Sequence, residues 1–245
     1  NIVRNNYFHH FGQPGVDWQK ACGLNPDYEP LRENVMVMGV YLDDCDSGDA
    51  VCNNIFYRTG WSAFVGGGRY NTISNNLFIA CTAAIHLDDR GLTRARPGEG
   101  TQDGWDLLAK LQTLNWQQPP WCDRYPHLVN VMQDEPKLPL HNVFACNVAV
   151  NCQRFLQMHG TVKDTALSRL DFRDNLAFGV INKADEAAFP QTKEGQRRVT
   201  FRSETLPGSD APDRDGFSLQ DASEFRLFAP WFRRISIEKA GLSAK

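Results

Sequence analysis

The stretches "VCNNIF" (51–56) and "ISNNLF" (73–78) are one sentence written twice: an aliphatic residue, two variable residues, an asparagine, then an apolar run. The same phrase returns as "VRNNYF" (3–8), "FACNVAV" (144–150) and "FRDNLAF" (172–178). Asn54 and Asn76 stand 22 residues apart. A period near that length, with several short strands and no helix between them, is the pattern of a parallel β-helix. Each coil then supplies about three strands, stacked at the ~4.8 Å strand spacing. The asparagine has a physical task at a sharp corner. It tolerates the left-handed conformation, and its amide can bond to the asparagine one coil away.

The remaining spacings fit whole coils plus excursions. From Asn6 to Asn54 there are 48 residues and from Asn76 to Asn147 there are 71, which places loops at about 12–34 and 91–140. The second loop carries a helix-like segment, "GWDLLAKLQTL" (104–114), and a break, "QQPPWCDRYP" (117–126), expected to be loop. "PGSDAPDRDG" (207–216) reads as loop, and "EFRLFAPWFRRISIEKAGL" (224–242) as a last apolar segment closing the stack. The expected fold is all-β, one solenoid domain over 1–245 with a partly helical loop insertion. The first residues read like the middle of a repeat, so the chain is expected to be the C-terminal part of a longer protein.

At 245 residues and 42% hydrophobic, the chain suffices for one large continuous core. A net charge of -3 and scattered Lys and Arg give no pull toward nucleic acid. No apolar run approaches the roughly 20 residues that span a bilayer. Seven cysteines without a CxxC pair point to small buried hydrophobes rather than zinc or redox chemistry, although Cys22 and Cys122, both in expected loops, could pair.

Candidate chemistry comes from two further phrases, "GVYLDD" (39–44) and "AIHLDDRG" (84–91), with "SAFVGGGR" (62–69) between them. Counting twelve residues past each corner asparagine lands on Gly66, Asp88 and His159, with Asp43 ending the equivalent strand before them. Strand alternation turns Val40, Leu42, Ala63, Val65, Ile85, Leu87, Leu156 and Met158 inward. It sends two columns toward solvent: Tyr41, Phe64, His86, Gln157, and beside it Asp43, Gly66, Asp88, His159. Asp44, Gly67 and Asp89 continue the strand ends. The aspartates would then stand two rungs apart, roughly 9–10 Å between backbones, with a bare glycine rung where a sugar ring could approach. Inverting glycosidases hold their two carboxyl groups roughly 6.5–9.5 Å apart, and retaining enzymes about 5 Å. Strand-end aspartates also cap turns, glycine runs also make turns, and paired carboxylates can take calcium. His86 and His159 could orient a sugar or tune a carboxylate. Arg69 and Arg90 could pair with the aspartates or read a substrate anion. Trp61, Trp105, Trp116, Trp121 and Tyr125 offer stacking planes.

The run 39–91, with "WCDRYPHL" (121–128) and "ISIEKAGL" (235–242), resembles the bacterial right-handed parallel β-helix repeat proteins of the pectin-lyase-like superfamily. Within them it looks most like the β-helix α-L-fucosidase and xylanase type. That resemblance implies a right-handed coil, a periplasmic or extracellular setting, and acidic residues at Asp43 or Asp44 and at Asp88. The expectation is an inverting glycoside hydrolase acting on a polysaccharide or oligosaccharide, monomeric, with no nucleic-acid or membrane partner. Catalysis falls to Asp43, Asp44 and Asp88. Tyr41, Trp61, Gly66, Gly67, Arg69, His86, Asp89, Arg90, Trp121 and His159 would line the substrate. A polysaccharide lyase using calcium and a non-catalytic carbohydrate-binding β-helix are the alternatives.

Overall fold

The computed structural model describes residues 1–11, 37–94, 106–179, 189, 199–202 and 219–236. Its frame is mostly β, and every strand pairing in it is parallel. One sheet stacks β1 (Ile2–Arg4), β4 (Ala50–Cys52), β7 (Thr72–Ser74), β10 (Val143–Ala145) and β13 (Asp171–Arg173). A second stacks β2 (Tyr7–Phe11), β5 (Ile55–Thr59), β8 (Leu77–Ile79), β11 (Val148–Val150), β14 (Asn175–Phe178) and β15 (Val199–Arg202). The third holds β3 (Met38–Leu42), β6 (Trp61–Gly66), β9 (Ala83–Asp88) and β12 (Arg154–Met158). Through the first four rungs, successive strands along the chain visit the three sheets in turn. The helices among the described residues are short and lie in the connections.

The asparagine spacing sets the register. Tyr7 pairs with Ile55, Ile55 with Leu77, Leu77 with Val148 and Val148 with Leu176, each one residue past its asparagine. The side chains form a buried ladder: Asn6, Asn54, Asn76 and Asn147 each donate Nδ2–H to the Oδ1 of the next, at 3.0–3.1 Å. The backbone N–H of each donates to the same oxygen. The corner itself is made elsewhere than expected. Positive φ falls on the preceding residue, Asn5, Asn53, Asn75, Cys146 and Asp174, at 50–58°. The ladder position tolerates only a side chain that both donates and accepts. The corner position tolerates several, at the cost of left-handed strain, which is why its identity varies.

Inside, aromatic rings stack rung on rung, Phe8 on Phe56 at 4.7 Å and Phe56 on Phe78 at 5.0 Å. Val40, Leu42, Ala63, Val65, Ile85, Leu87 and Leu156 are all buried on the inner face of the third sheet, as alternation requires. Each of these but Ala63 contributes roughly 1.5–3 kcal/mol by leaving water.

Two connections differ from expectation. Residues 117–126 contain the short helix Trp121–Arg124 and are followed by the 3-10 stretch Pro126–Gln133. The expected helix at 104–114 is Leu107–Gln112, with Gly104 and Trp105 outside the described residues. The described part of the C-terminal segment, 224–236, does not cap the stack. Phe225, Phe232 and Ile235 lie across the outer face of the second sheet, on Ile55, Leu77, Val148 and Leu176. Arg233 pins it there, its backbone N–H and C=O both bonded to the Asn75 amide at 2.8 Å. That sheet is therefore apolar on both faces. The expected loops at 12–34 and 207–216 and the Cys22 half of the expected disulfide lie outside the described residues; Cys122 is a free thiol. No helix among the described residues is long and apolar enough to cross a membrane.

Candidate functional site

The third sheet brings the two phrases together in the expected register. Tyr41 pairs with Phe64, Phe64 with His86 and His86 with Gln157. Gly66 pairs with Asp88, and Asp43 and His159 each follow the last paired residue of their strands, Leu42 and Met158. Asp43, Gly66, Asp88 and His159 thus form one column, with a glycine between the two aspartates.

The column is not an open floor. Phe64 is 2% exposed, His86 0% and Asp88 8%, while Tyr41, at 42%, and the column's ends, Asp43 and His159, stand clear. The cover is Arg90. Its chain turns back from the end of β9, and a Cβ placed on Gly66 would lie 2.8 Å from the guanidinium carbon. One on Gly67, whose φ is +76°, would meet Arg90 Cγ at 2.8 Å. The glycines therefore make room for this chain's own arginine and not for a bare sugar platform. Gly68 serves another close approach, since a Cβ there would overlap the Asp46 carbonyl.

Arg90 gathers the acidic groups. Nη2 donates to Asp88 Oδ2 at 2.7 Å and Nε to both Asp88 oxygens at 3.0 Å. Nη1 donates to the Tyr41 hydroxyl at 2.8 Å and to Asp43 Oδ1, and lies 3.6 Å from Asp44 Oδ1. Arg94, on the short helix Gly91–Arg94, holds Asp44 at 3.0 Å. Burial alone would raise the Asp88 carboxyl, but the approach of His86 and the bonds and charge of Arg90 outweigh it and hold the group at about 2. Burial works against the Arg90 cation too, and Asp88 and Tyr41 raise it above its ordinary value regardless. Cys45 is pushed up to about 11 by burial and by the charges of Asp44 and Asp88. Burial also raises the Tyr41 hydroxyl.

The other expected residues separate into two groups. Trp61 and His159 belong to the column. The indole stacks on His86 at 4.5 Å, and His159 meets His86 edge-on at 4.8 Å while its Nε2 bonds to Gln157. Asp89, Arg69 and Trp121 do not join it. Asp89 turns away and accepts from the N–H and hydroxyl of Thr161, both at 2.6 Å, fastening the end of β12. Arg69 is buried and clamps the insertion through the carbonyls of Asp134, Glu135 and Leu138 and the Asp134 carboxylate. Trp121 stands exposed on the insertion beside Tyr125, 6.3 Å between rings. Among the described residues no group of three or more His, Cys, Asp or Glu side chains is placed to hold a metal ion. Asp43 and Asp88 are turned onto Arg90, Asp44 onto Arg94 and Asp89 onto Thr161. Arg94 was missed in the sequence; only its place four residues after Arg90 hinted that it would face the same way.

No family model and no curated protein matches this chain. Among solved structures it is similar to a mannuronic acid specific polysaccharide family 6 lyase enzyme from human gut microbiota, at 14% identity and a TM-score of 0.23. The match covers 93% of this chain and 56% of that one, so the chain spans little more than half of its length. A likeness of that size carries no argument about fold or activity.

Proposed function

We propose that this chain is a right-handed parallel β-helix, one unit along its length, that hydrolyses glycosidic bonds of a neutral polysaccharide or oligosaccharide with inversion. The observation that carries the reading is the composition of the column: Asp43, Asp44 and Asp88 gathered on two guanidinium groups, Arg90 and Arg94. Three carboxylates against two cations leave an excess of negative charge. Glycoside hydrolysis passes through a cationic, oxocarbenium-like transition state, which such a site stabilises. Lyase chemistry builds negative charge on a uronate carboxylate, which the same site repels. The hydrolase reading is therefore favoured over the lyase.

The roles follow from charge and access. Asp88, held at about 2, is ionised throughout the ordinary pH range, so of the two roles it can fill only that of the base, and as a weak one that orients the attacking water. Asp43 has the access that the acid needs: its side chain is 47% exposed against 20% for Asp44 and 12% for Asp88. Arg90 makes four hydrogen bonds to Asp88, three from its side chain and one from its backbone N–H, and one to Asp43, so on substrate entry it gives up Asp43 and keeps Asp88. That frees the acid for the leaving-group oxygen. Tyr41, beside Asp43, lines the open edge. An extracytoplasmic place of action and a monomer go with this reading.

The class of reaction is tested on the whole protein with xyloglucan, arabinoxylan and galactomannan, and with alginate as the anionic control. The expected result is new reducing ends from a neutral glycan without ultraviolet absorbance. An absorbing, unsaturated product from alginate would mean a lyase, and binding without new ends a carbohydrate-binding module.

A further inference from the structure

His86 occupies an outward position of the third sheet and yet is wholly buried. Phe64 stacks on its ring at 3.9 Å, Trp61 at 4.5 Å, and His159 closes the edge at 4.8 Å. Neither ring nitrogen has a hydrogen-bond partner among the described residues. A buried polar group left unpaired bears its full desolvation cost, and native structures seldom keep one without a use. Packing does not require a histidine here. The neighbouring rung puts Phe64 at the paired position, and a phenyl ring would continue the stack as Phe8, Phe56 and Phe78 do inside. The nitrogen is what phenylalanine lacks, and it is aimed: Nε2 stands 3.5 Å from Asp88 Oδ2, two residues along the same face of β9. Catalytic hydrogen bonds are often long in a resting site and tighten on binding.

We infer that His86 is a positioning residue, whose Nε2–H takes hold of Asp88 Oδ2 and keeps that carboxylate oriented toward the Asp43 rung when Arg90 shifts to admit substrate. This rests on the hydrolase reading for its purpose but not for its test. Burial lowers the imidazole's pKa, so the ring is neutral at neutral pH and acts as a donor without adding a charge to the site. The tautomer follows from the role: the proton sits on Nε2. The groups facing the pair are Arg90 and, through it, Asp43, Asp44 and Tyr41, together with Cys45 from the turn after β3 and His159 from just past β12. Of these only Arg90 donates to Asp88, so loss of His86 leaves one element holding the carboxylate.

The experiment follows the carboxyl carbon of Asp88 by NMR through an acid titration of the whole chain, its resonance assigned by its loss in Asp88→Asn. The midpoint in the unmodified protein is expected near 2. In His86→Phe it is expected to rise by about one unit, while His86→Gln, which keeps an N–H donor, restores it. His86→Leu takes the place of the phenylalanine variant if that fails to fold. On a glycan substrate the acid limb of kcat moves up with the midpoint, and KM stays as it was. An unmoved midpoint in His86→Phe or His86→Leu, or a glutamine variant that behaves like either, overturns the assignment. Full turnover by Asp88→Asn would instead sink the hydrolase reading and leave the titration to decide the role of His86 alone.

Discussion

Replacing Arg90 with methionine removes the cation on which the column is assembled. An Asp88 carboxyl held at about 2, against 3.8 ordinarily, contributes roughly 2 kcal/mol to folding at 1.36 kcal/mol per unit. Arg90 shares that effect with His86, but its loss also leaves Asp43 and Asp88 facing each other across Gly66 without a counter-ion. Methionine keeps the aliphatic stem over Gly66 and Gly67, so packing changes little. The expected cost at pH 7 is about 2–3 kcal/mol, a fall in Tm of roughly 4–12 °C for a chain of this size. The sign with pH is fixed by the direction of the shift. A carboxyl lowered on folding contributes its stability above its ordinary pKa of 3.8 and loses it as pH falls toward 2. The two proteins should therefore differ fully above about pH 5 and converge as pH drops through that window. Thermal melts followed by circular dichroism at pH 7, 4 and 3 give the comparison. An equal deficit at all three values would refute the electrostatic reasoning in favour of lost packing, and no deficit at pH 7 would refute the clamp.

Gly66→Ala places a methyl 2.8 Å from the Arg90 guanidinium carbon and should displace it, costing about 1–3 kcal/mol and raising the Asp88 titration midpoint; an unchanged midpoint would show that the guanidinium has room to spare. Cys146→Asn puts at this corner the residue that three other rungs use there, where φ is +56°, and should stabilise the fold by about 0.5–1 kcal/mol in denaturant melts; a loss of stability would mean that the thiol itself matters.

The register of the fold was legible because one residue type per rung must both donate and accept along the stack. Counting from Asn54, Asn76 and Asn147 therefore put Asp43, Gly66, Asp88 and His159 in one column. The alternation of Val40 and Leu42 or Ile85 and Leu87 was legible for the same reason: strand side chains have only two faces. The occupant of the glycine rung was not. Arg90 has a long, freely turning side chain, and only the assembled column shows that it folds back across a rung instead of pointing to solvent. The fate of Asp89 and Arg69 was hidden too, because each is committed to a partner some 70 residues away, Thr161 or Leu138. Corner and ladder were both expected of the second asparagine in "NN", although the first turns the corner and the second builds the ladder. The segment 224–242 was expected at the end of the stack, since its apolar pattern does not say which of several apolar faces it covers.

The most direct test of the central claim is turnover by Asp43→Asn and Asp88→Asn on whichever neutral glycan the unmodified protein cleaves, with melts confirming that each variant is folded. Removing the acid or the base is expected to slow release of reducing ends by about 10²–10⁴-fold in either variant. Release at the unmodified rate by both folded variants would contradict the assignment of the column as the place where the bond is broken.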